Sequence, residues 1–274
     1  SFNGKVITYD AIGNPLTYDG TTYSWQGRQL VSSSKAGLNI NYTYNEAGIR
    51  TSKSVNGVTT SYHLSGDRVT FEQTGSDTIY YVYDTQGQLI SMILNNVEYA
   101  YVRNAQNDIV GLINSAGIQV VSYTYSTWGE VLSITGSLAS SVGEKNPYRY
   151  RGYRYDSETG LYYLQSRYYN PQWGRFVNAD DTSTLESSPE ALTDKNLFAY
   201  CDNNPVIRAD YDGDFWHIVI GAGIGFVFEL GSQFISNDGN LAKVNLWKVA
   251  VATAVGGISA TCGLAAGAII SGAG

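Results

Sequence analysis

Residues 81–92 read YVYDTQGQLISM, and this stretch carries the pattern that decides the fold. Tyrosines and aliphatic residues alternate with other residues on both sides of a four-residue segment, which begins with Asp84 and ends with Gly87. Asp at the first position and Gly at the fourth are the preferences of a type I turn, and a period of two is typical of a strand. The stretch therefore predicts a β-hairpin.

The same unit recurs along the chain as TYDAIGN, TYSWQGRQL, YTYNEAGIR and YTYSTWGEV. A tyrosine precedes Asp, Asn or Ser, and a glycine closes the turn, as in the pairs Asp10–Gly13 and Asn45–Gly48. Fixed-period turn chemistry predicts a mainly β protein whose antiparallel sheet grows hairpin by hairpin. The alternative is an ordinary antiparallel sandwich with tyrosine-rich strands.

Composition limits the classes of partner. The 274 residues carry a net charge of −7 with a pI of about 4.8, whereas a nucleic-acid-binding surface is basic. Charged residues make up 15% of the chain, and tyrosine occurs 23 times. We find no metal-ligand spacing and no nucleotide-binding motif, so the sequence predicts no cofactor, no metal and no nucleic-acid partner.

Two later segments carry a family resemblance. Residues 147–181 read PYRYRGYRYDSETGLYYLQSRYYNPQWGRFVNADD, and residues 196–214 read NLFAYCDNNPVIRADYDGD. With the repeats before them, they closely resemble the repeat-associated core of the YD-repeat/Rhs family. The resemblance implies three parts: YD-repeat hairpins over 1–146, the closing core over 147–214, and a Gly/Ala-rich segment over 215–274 before a variable C-terminal domain.

The resemblance also implies a function. In this family the hairpins spiral as one sheet into a hollow shell, which encloses the protein's own C-terminal toxin or effector and delivers it. The implied setting is a secreted or surface-exposed bacterial protein. Its full-length form would have an immunity protein and a secretion machinery as further partners. The alternative is a surface module for adhesion or carbohydrate binding, for which exposed Trp25, Trp128 and Trp173 would supply stacking surfaces.

Some members of this family cut their own chain behind the core with two aspartates, in an aspartic-protease-like arrangement. By position these are Asp180 and Asp210, with Arg175 as a candidate support that biases which carboxyl is charged. The cut would fall between Asp214 and Phe215. Two neighbouring carboxylates suit this chemistry, because one keeps its proton as an acid while the other activates water. The alternative is that both aspartates simply cap turns.

The chain departs from the family pattern beside that site. Tyr211 stands where proline usually follows the second aspartate, and Asp214 stands where leucine usually precedes the cut. A negative charge at the cleavage position would disturb a carboxylate site. Any enzymatic activity expected from the sequence is therefore at most this intramolecular cleavage.

The arginines of the core interleave with its tyrosines. Arg149, Arg151, Arg154 and Arg167 alternate with aromatic residues, which predicts cation–π stacking on a wall that is wetted by solvent.

Residues 215–274 are rich in Gly and Ala and contain G-x-x-x-G spacings, which allow helices to approach closely. We expect an α-helical hairpin here. A membrane-contacting role and a disordered segment are the alternatives.

Overall fold

The computed structural model describes residues 1–85, 87–180, 196–206 and 208–210, and the backbone of 216–218. Fourteen strands form one antiparallel sheet in which each strand pairs with its neighbours in the sequence. They are β1 Ile7–Tyr9, β2 Pro15–Tyr18, β3 Thr21–Gln26, β4 Gln29–Lys35, β5 Leu38–Tyr44, β6 Arg50–Val55, β7 Val58–Ser65, β8 Arg68–Thr74, β9 Asp77–Tyr83, β10 Leu89–Leu94, β11 Val97–Arg103, β12 Ile109–Ile113, β13 Gln119–Tyr125 and β14 Val131–Thr135. The predicted mainly β fold, built hairpin by hairpin, is confirmed.

The predicted turns form as the sequence indicated. At Asn45 the backbone carbonyl accepts the Gly48 N–H at 3.0 Å, and the side-chain Oδ1 accepts the Ile49 N–H at 2.9 Å. The same two contacts, one to the backbone oxygen and one to the side-chain oxygen, recur in the turns that begin at Asp10, Asp84, Asn104, Asn114 and Ser126. A local side-chain bond thus helps to fix each of these turns independently of distant contacts.

Each of these turns also shifts the register of the strands that it joins. Thr43 pairs with Ser52, whereas the next residue, Tyr44, pairs with Arg50, so one extra residue is accommodated beside the turn. A bulge of this kind re-aims the side chains next to it. Here it accompanies the burial of Arg50, which is 1% exposed.

One face of the large sheet is buried and the other faces solvent. In β5, Ile40 and Tyr42 are buried, while Asn39, Asn41 and Thr43 between and beside them are exposed. The buried face packs on the segment that follows the sheet, since Ile40 and Tyr42 share a cluster with residues of that segment.

That segment, which we call the core segment, spans residues 147–180 and forms a second sheet of four strands over residues 154–176. The strands are β15 Arg154–Asp156, β16 Leu161–Leu164, β17 Arg167–Asn170 and β18 Arg175–Phe176. A π-helical turn at Ala139–Gly143 and a 3-10 turn at Tyr150–Gly152 lead into it. A second 3-10 turn at Cys201–Asn203 precedes a short hairpin of β19 Arg208–Asp210 and β20 Trp216–Ile218. The predicted Gly/Ala-rich helical hairpin lies almost wholly outside the described residues.

Buried ion pairs join the large sheet to the core segment. The Arg50 guanidinium donates to both carboxylate oxygens of Asp156 at 2.6 and 3.1 Å, and both side chains are almost fully buried. Arg154 donates to one carboxylate oxygen of Glu72 through Nη2 alone, and the backbone N–H of Arg151 donates to Asp108 at 3.0 Å. In each pair, one partner belongs to the large sheet or to one of its turns, and the other belongs to the core segment.

These contacts correct one expectation. The core-segment arginines do stack on aromatic rings, with the Arg154 guanidinium carbon 4.3 Å from the centroid of Tyr62 and that of Arg149 4.7 Å from Tyr155. However, Arg149, Arg151, Arg154 and Arg167 are all buried rather than wetted by solvent. The reason is that the core segment lies against the large sheet, which removes solvent from this side of the wall.

Gly117 tests the turn geometry without a packing change. Its φ is +76°, and a Cβ at this position would meet open space. We expect Gly117→Ala to lower the free energy of unfolding by about 1–2 kcal/mol, because an L-residue pays a steric cost in the left-handed region. Gly117→Asn should cost less, since Asn tolerates this region. Chemical denaturation of the three proteins measures the difference, and equal stability of the alanine variant and the parent would contradict the turn assignment.

Asp156 tests the ion pairs between sheet and core segment. Although burial opposes its charge, Arg50 and Lys53 hold the pKa of the Asp156 carboxyl well below its ordinary value of 3.8. This stabilisation is present above about pH 4 and is lost as the pH falls further. We expect Asp156→Asn to cost about 3–5 kcal/mol at pH 7, because it leaves Arg50 buried without its counter-charge.

The pH dependence gives the internal control for this prediction. Urea unfolding of parent and variant between pH 7 and pH 2 should show the two stabilities approaching each other below about pH 4, because the unfolded parent then binds a proton that the folded Asp156 carboxylate accepts only at a lower pH. A constant difference across that range would show that the carboxylate charge is not the cause.

Candidate self-cleavage site

The two predicted aspartates lie at the ends of different elements. Asp180 follows β18, and its backbone N–H donates to the carbonyl of Leu197 at 3.0 Å. Asp210 is the last residue of β19 and is 2% exposed. Although 30 positions separate them in the sequence, the fold brings both carboxylates to one place.

One guanidinium joins the two carboxylates. Arg167 Nη1 lies 3.1 Å from Asp180 Oδ2, and Arg167 Nη2 lies 3.1 Å from Asp210 Oδ2. The Arg167 and Asp210 side chains are 6% and 3% exposed, and that of Asp180 is 14% exposed. The cation between them offsets the repulsion that two buried carboxylates would otherwise exert on each other.

Strand alternation places Arg167 in this position. Tyr169 is two residues after Arg167 on β17 and pairs in register with Phe176 on β18, so these three side chains share one face. The guanidinium carbon of Arg167 lies 3.7 Å from the centroid of the Phe176 ring. The ring thus supports the planar group from one side while its nitrogens reach the aspartates.

Arg175, the candidate support expected from the sequence, lies elsewhere. It is adjacent to Phe176 in the strand, so its side chain is on the opposite face, and it is exposed. The arginine beside the aspartates is therefore Arg167 rather than Arg175. The period-two alternation around Phe176, which is readable in the sequence, is the signal that distinguishes the two.

Two tyrosines that the sequence analysis did not single out hold Asp210. The Asp210 N–H donates to the Tyr153 hydroxyl at 2.9 Å, and the hydroxyls of Tyr153 and Tyr200 lie 2.9 Å apart. Burial raises the pKa of both hydroxyls well above the ordinary value, so both stay protonated. The pair fixes the backbone of β19, and Arg208 adds an ion pair to Asp202 on the preceding turn.

The predicted junction, Asp214 and Phe215, lies outside the described residues. The strands on either side of it are described, and Asp210 is the register partner of Trp216. The pairing of β19 with β20 therefore places Trp216, the residue after Phe215, opposite Asp210.

The three tryptophans proposed for sugar stacking are half-buried rather than exposed. The Trp25 indole N–H donates to the Pro15 carbonyl at 2.7 Å. Trp173 packs edge-to-face on Tyr18, and Trp128 packs in an aromatic cluster of the core segment. The adhesion alternative thereby loses the exposed rings on which it depended.

Among the residues that the structure describes, no helix has the length and apolar character needed to cross a membrane.

Comparison with known proteins identifies the architecture. The family model described as Teneurin YD-shell matches residues 2–206. The chain is 38% identical over 229 residues to a tRNA3(Ser)-specific nuclease, WapA, of Bacillus spizizenii, a match that covers 81% of the chain and 10% of that relative. It is 25% identical over 182 residues to double-stranded DNA deaminase toxin A of Burkholderia cenocepacia, which covers 64% of the chain and 12% of the relative.

Solved structures share the fold. A Photorhabdus luminescens Tc holotoxin pore matches with a TM-score of 0.58 and 20% identity, over 75% of this chain and 10% of that one. The TcdB2-TccC3 crystal structure matches with a TM-score of 0.57 over 75% of this chain and 11% of that one. The chain thus spans about a tenth of the length of each of these relatives and structures.

Arg167 and Arg175 form a matched pair for testing the geometry. We expect Arg167→Met to lower the free energy of unfolding by about 3–5 kcal/mol, because it leaves two largely buried carboxylates without their cation. Arg175→Met, on the exposed face, should change it by less than about 0.5 kcal/mol. Urea denaturation at pH 7 measures both, and similar costs for the two variants would contradict the assignment of Arg167.

Proposed function

The chain belongs to the teneurin YD-shell family, and we propose that it closes a shell around a C-terminal effector and cuts its own backbone behind the core. It is a toxin-associated YD-shell module, as its resemblance to nuclease and deaminase toxins indicates. The observation that carries the self-cleavage proposal is the single guanidinium of Arg167, which contacts both predicted aspartates.

The proposed reaction is hydrolysis of the peptide bond between Asp214 and Phe215. One carboxylate of the Asp180–Asp210 pair accepts a proton from the attacking water, and the other, protonated, donates a proton to the leaving amine. Arg167 is a positioning residue that holds the two carboxyl groups at one place. The register pairing of Asp210 with Trp216, directly after the junction, supports this choice of bond.

The delivery part of the proposal rests on the family. The buried face of the large sheet and its closure by the core segment are compatible with one wall of an enclosure. We propose that the enclosed partner is the protein's own effector segment, and that the whole protein is secreted or displayed at a bacterial surface. An immunity protein and a secretion machinery complete the proposed set of partners.

Intact mass of the purified 274-residue chain tests the cleavage proposal. After incubation at neutral pH, we expect two fragments whose masses place the cut between Asp214 and Phe215. Asp180→Asn and Asp210→Asn should each abolish the fragments, because either substitution removes one of the two carboxyl groups. Asp214→Leu should speed the cut, because it removes the negative charge at the cleavage position.

Asp19→Asn is the matched control, since Asp19 lies on the surface far along the chain from the site and pairs with Lys5. It should cleave at the parental rate. An uncut parent together with an uncut Asp214→Leu variant, or fragments that persist in both the Asp180 and Asp210 variants, would contradict the proposal.

A further inference from the structure

One buried hydroxyl group lies beside the second aspartate of the cleavage site. The backbone N–H of Asp210 donates to the Tyr153 hydroxyl at 2.9 Å, although 57 positions separate the two residues. Tyr153 is 4% exposed and belongs to the core segment, whereas Asp210 is the last residue of β19. The contact therefore joins the core segment to the strand that carries one of the two carboxylates.

The Tyr153 hydroxyl also contacts a second residue of the chain that leads into β19. Its oxygen lies 2.9 Å from the hydroxyl oxygen of Tyr200, which is fully buried. A hydroxyl group has one donor and two acceptor sites, so Tyr153 can accept the Asp210 N–H and still share a hydrogen bond with Tyr200. One side chain of the core segment thus binds this part of the chain at two places, at Tyr200 and at Asp210.

Tyr153 is itself held by its backbone and by its ring. Its N–H donates to the carbonyl of Tyr150 at 2.9 Å, and its carbonyl accepts the N–H of Arg149 at 3.0 Å. Its ring packs edge-to-face on the rings of Tyr162 and Tyr200, whose centroids lie 6.2 and 6.4 Å from its own. The hydroxyl group therefore has a defined position, because both the main chain and the ring that carry it are fixed.

Two side chains of the core segment hold Asp210 from different sides. The Arg167 guanidinium contacts the Asp210 carboxylate at 3.1 Å, and the Tyr153 hydroxyl accepts the Asp210 backbone N–H. The first contact fixes the carboxylate, and the second fixes the main chain from which that carboxylate projects. Reaction rates depend steeply on such placement, since a displacement of about 1 Å can lower a rate by a factor of about 100.

We propose that Tyr153 is a positioning residue for the self-cleavage, which holds the main chain of Asp210 so that its carboxylate reaches Arg167. This inference rests on the proposed self-cleavage reaction. Because Tyr153 also contacts Tyr200, the site is complete only when the chain that leads into β19 lies on the core segment. Self-cleavage therefore depends on the docking of that part of the chain.

Tyr153→Phe removes the hydroxyl group and keeps the ring, and intact mass of the 274-residue chain over time measures its effect on cleavage. We expect fragments to form about 10–100 times more slowly than in the parent, because the Asp210 N–H loses its acceptor and the main chain of Asp210 is no longer held. Tyr200→Phe leaves that acceptor in place and should slow cleavage less than Tyr153→Phe does.

Tyr162→Phe is the matched control. Tyr162 is a fully buried tyrosine of the same aromatic cluster, and its hydroxyl donates to the Gly129 carbonyl at 2.8 Å. The variant loses a buried hydrogen bond without losing a contact to Asp210, so its cleavage rate should stay within about twofold of the parental rate. Urea denaturation verifies that each variant is folded and compares the losses of stability. Equal slowing by Tyr153→Phe and Tyr162→Phe would indicate a merely structural role and overturn the proposal.

Amide hydrogen exchange, followed by NMR, separates this inference from the cleavage proposal. It is measured on the Asp180→Asn chain, in which the proposed cut cannot occur. There we expect Tyr153→Phe to speed exchange of the Asp210 amide at least about tenfold and Tyr162→Phe to leave it unchanged. An Asp210 amide whose exchange does not depend on Tyr153 would overturn the inference even if the parent is cut. An uncut parent contradicts the self-cleavage itself, and the exchange rates then still decide whether Tyr153 holds Asp210.

Discussion

The architecture depends on buried contacts between guanidinium groups and carboxylates that cross from the large sheet to the core segment. A buried ion pair contributes little net stability relative to a well-packed apolar pair, but breaking one is costly. Such pairs therefore favour one alignment of the core segment on the large sheet over the other possible alignments. When Arg50 meets Asp156 and Arg154 meets Glu72, each cation has a counter-charge, and a slip of the core segment by one residue would leave several charges buried and unmatched.

The tyrosines make this burial of charge tolerable. Their rings cover the flat faces of the guanidinium groups, as Tyr163 does for Arg50 at 4.4 Å, and their hydroxyls supply further hydrogen bonds around the charges. Tyr44 and Tyr168 show the second role, since their hydroxyls lie 2.9 Å apart across the boundary between sheet and core segment. Burial keeps such hydroxyls protonated by raising their pKa. An interface rich in tyrosine can thus be both apolar enough to exclude solvent and polar enough to hold arginine.

The features that the sequence predicted are those with local causes. The Asn45–Gly48 turn is fixed by bonds within five residues, and the period-two pattern of β5 follows from alternation along one strand. Burial of the arginines was not predictable in the same way, because the alternation of Arg and Tyr suits a wetted wall as well as a packed one. Contact with the large sheet decides between a wetted and a packed wall, and that contact joins residues that are distant in the sequence.

The candidate site shows the same difference between features with a local cause and features set by distant contacts. Asp180 and Asp210 were identified from a family resemblance, whereas their shared partner, Arg167, emerges from the pairing of β17 with β18. The sequence analysis named Arg175 as the candidate support, but strand alternation turns that residue to the opposite face. The role of Tyr153 depends on a contact across 57 positions, and no local pattern indicates it.

A double-mutant cycle on Asp180 and Asp210 tests most directly that one guanidinium holds both carboxylates. Unfolding free energies are measured for the parent, Asp180→Asn, Asp210→Asn and the double variant. Because both residues share Arg167, we predict that the two effects are not additive, with an interaction of about 0.5–3 kcal/mol. Strict additivity would contradict the account, since it would show that the two aspartates do not meet at a common partner.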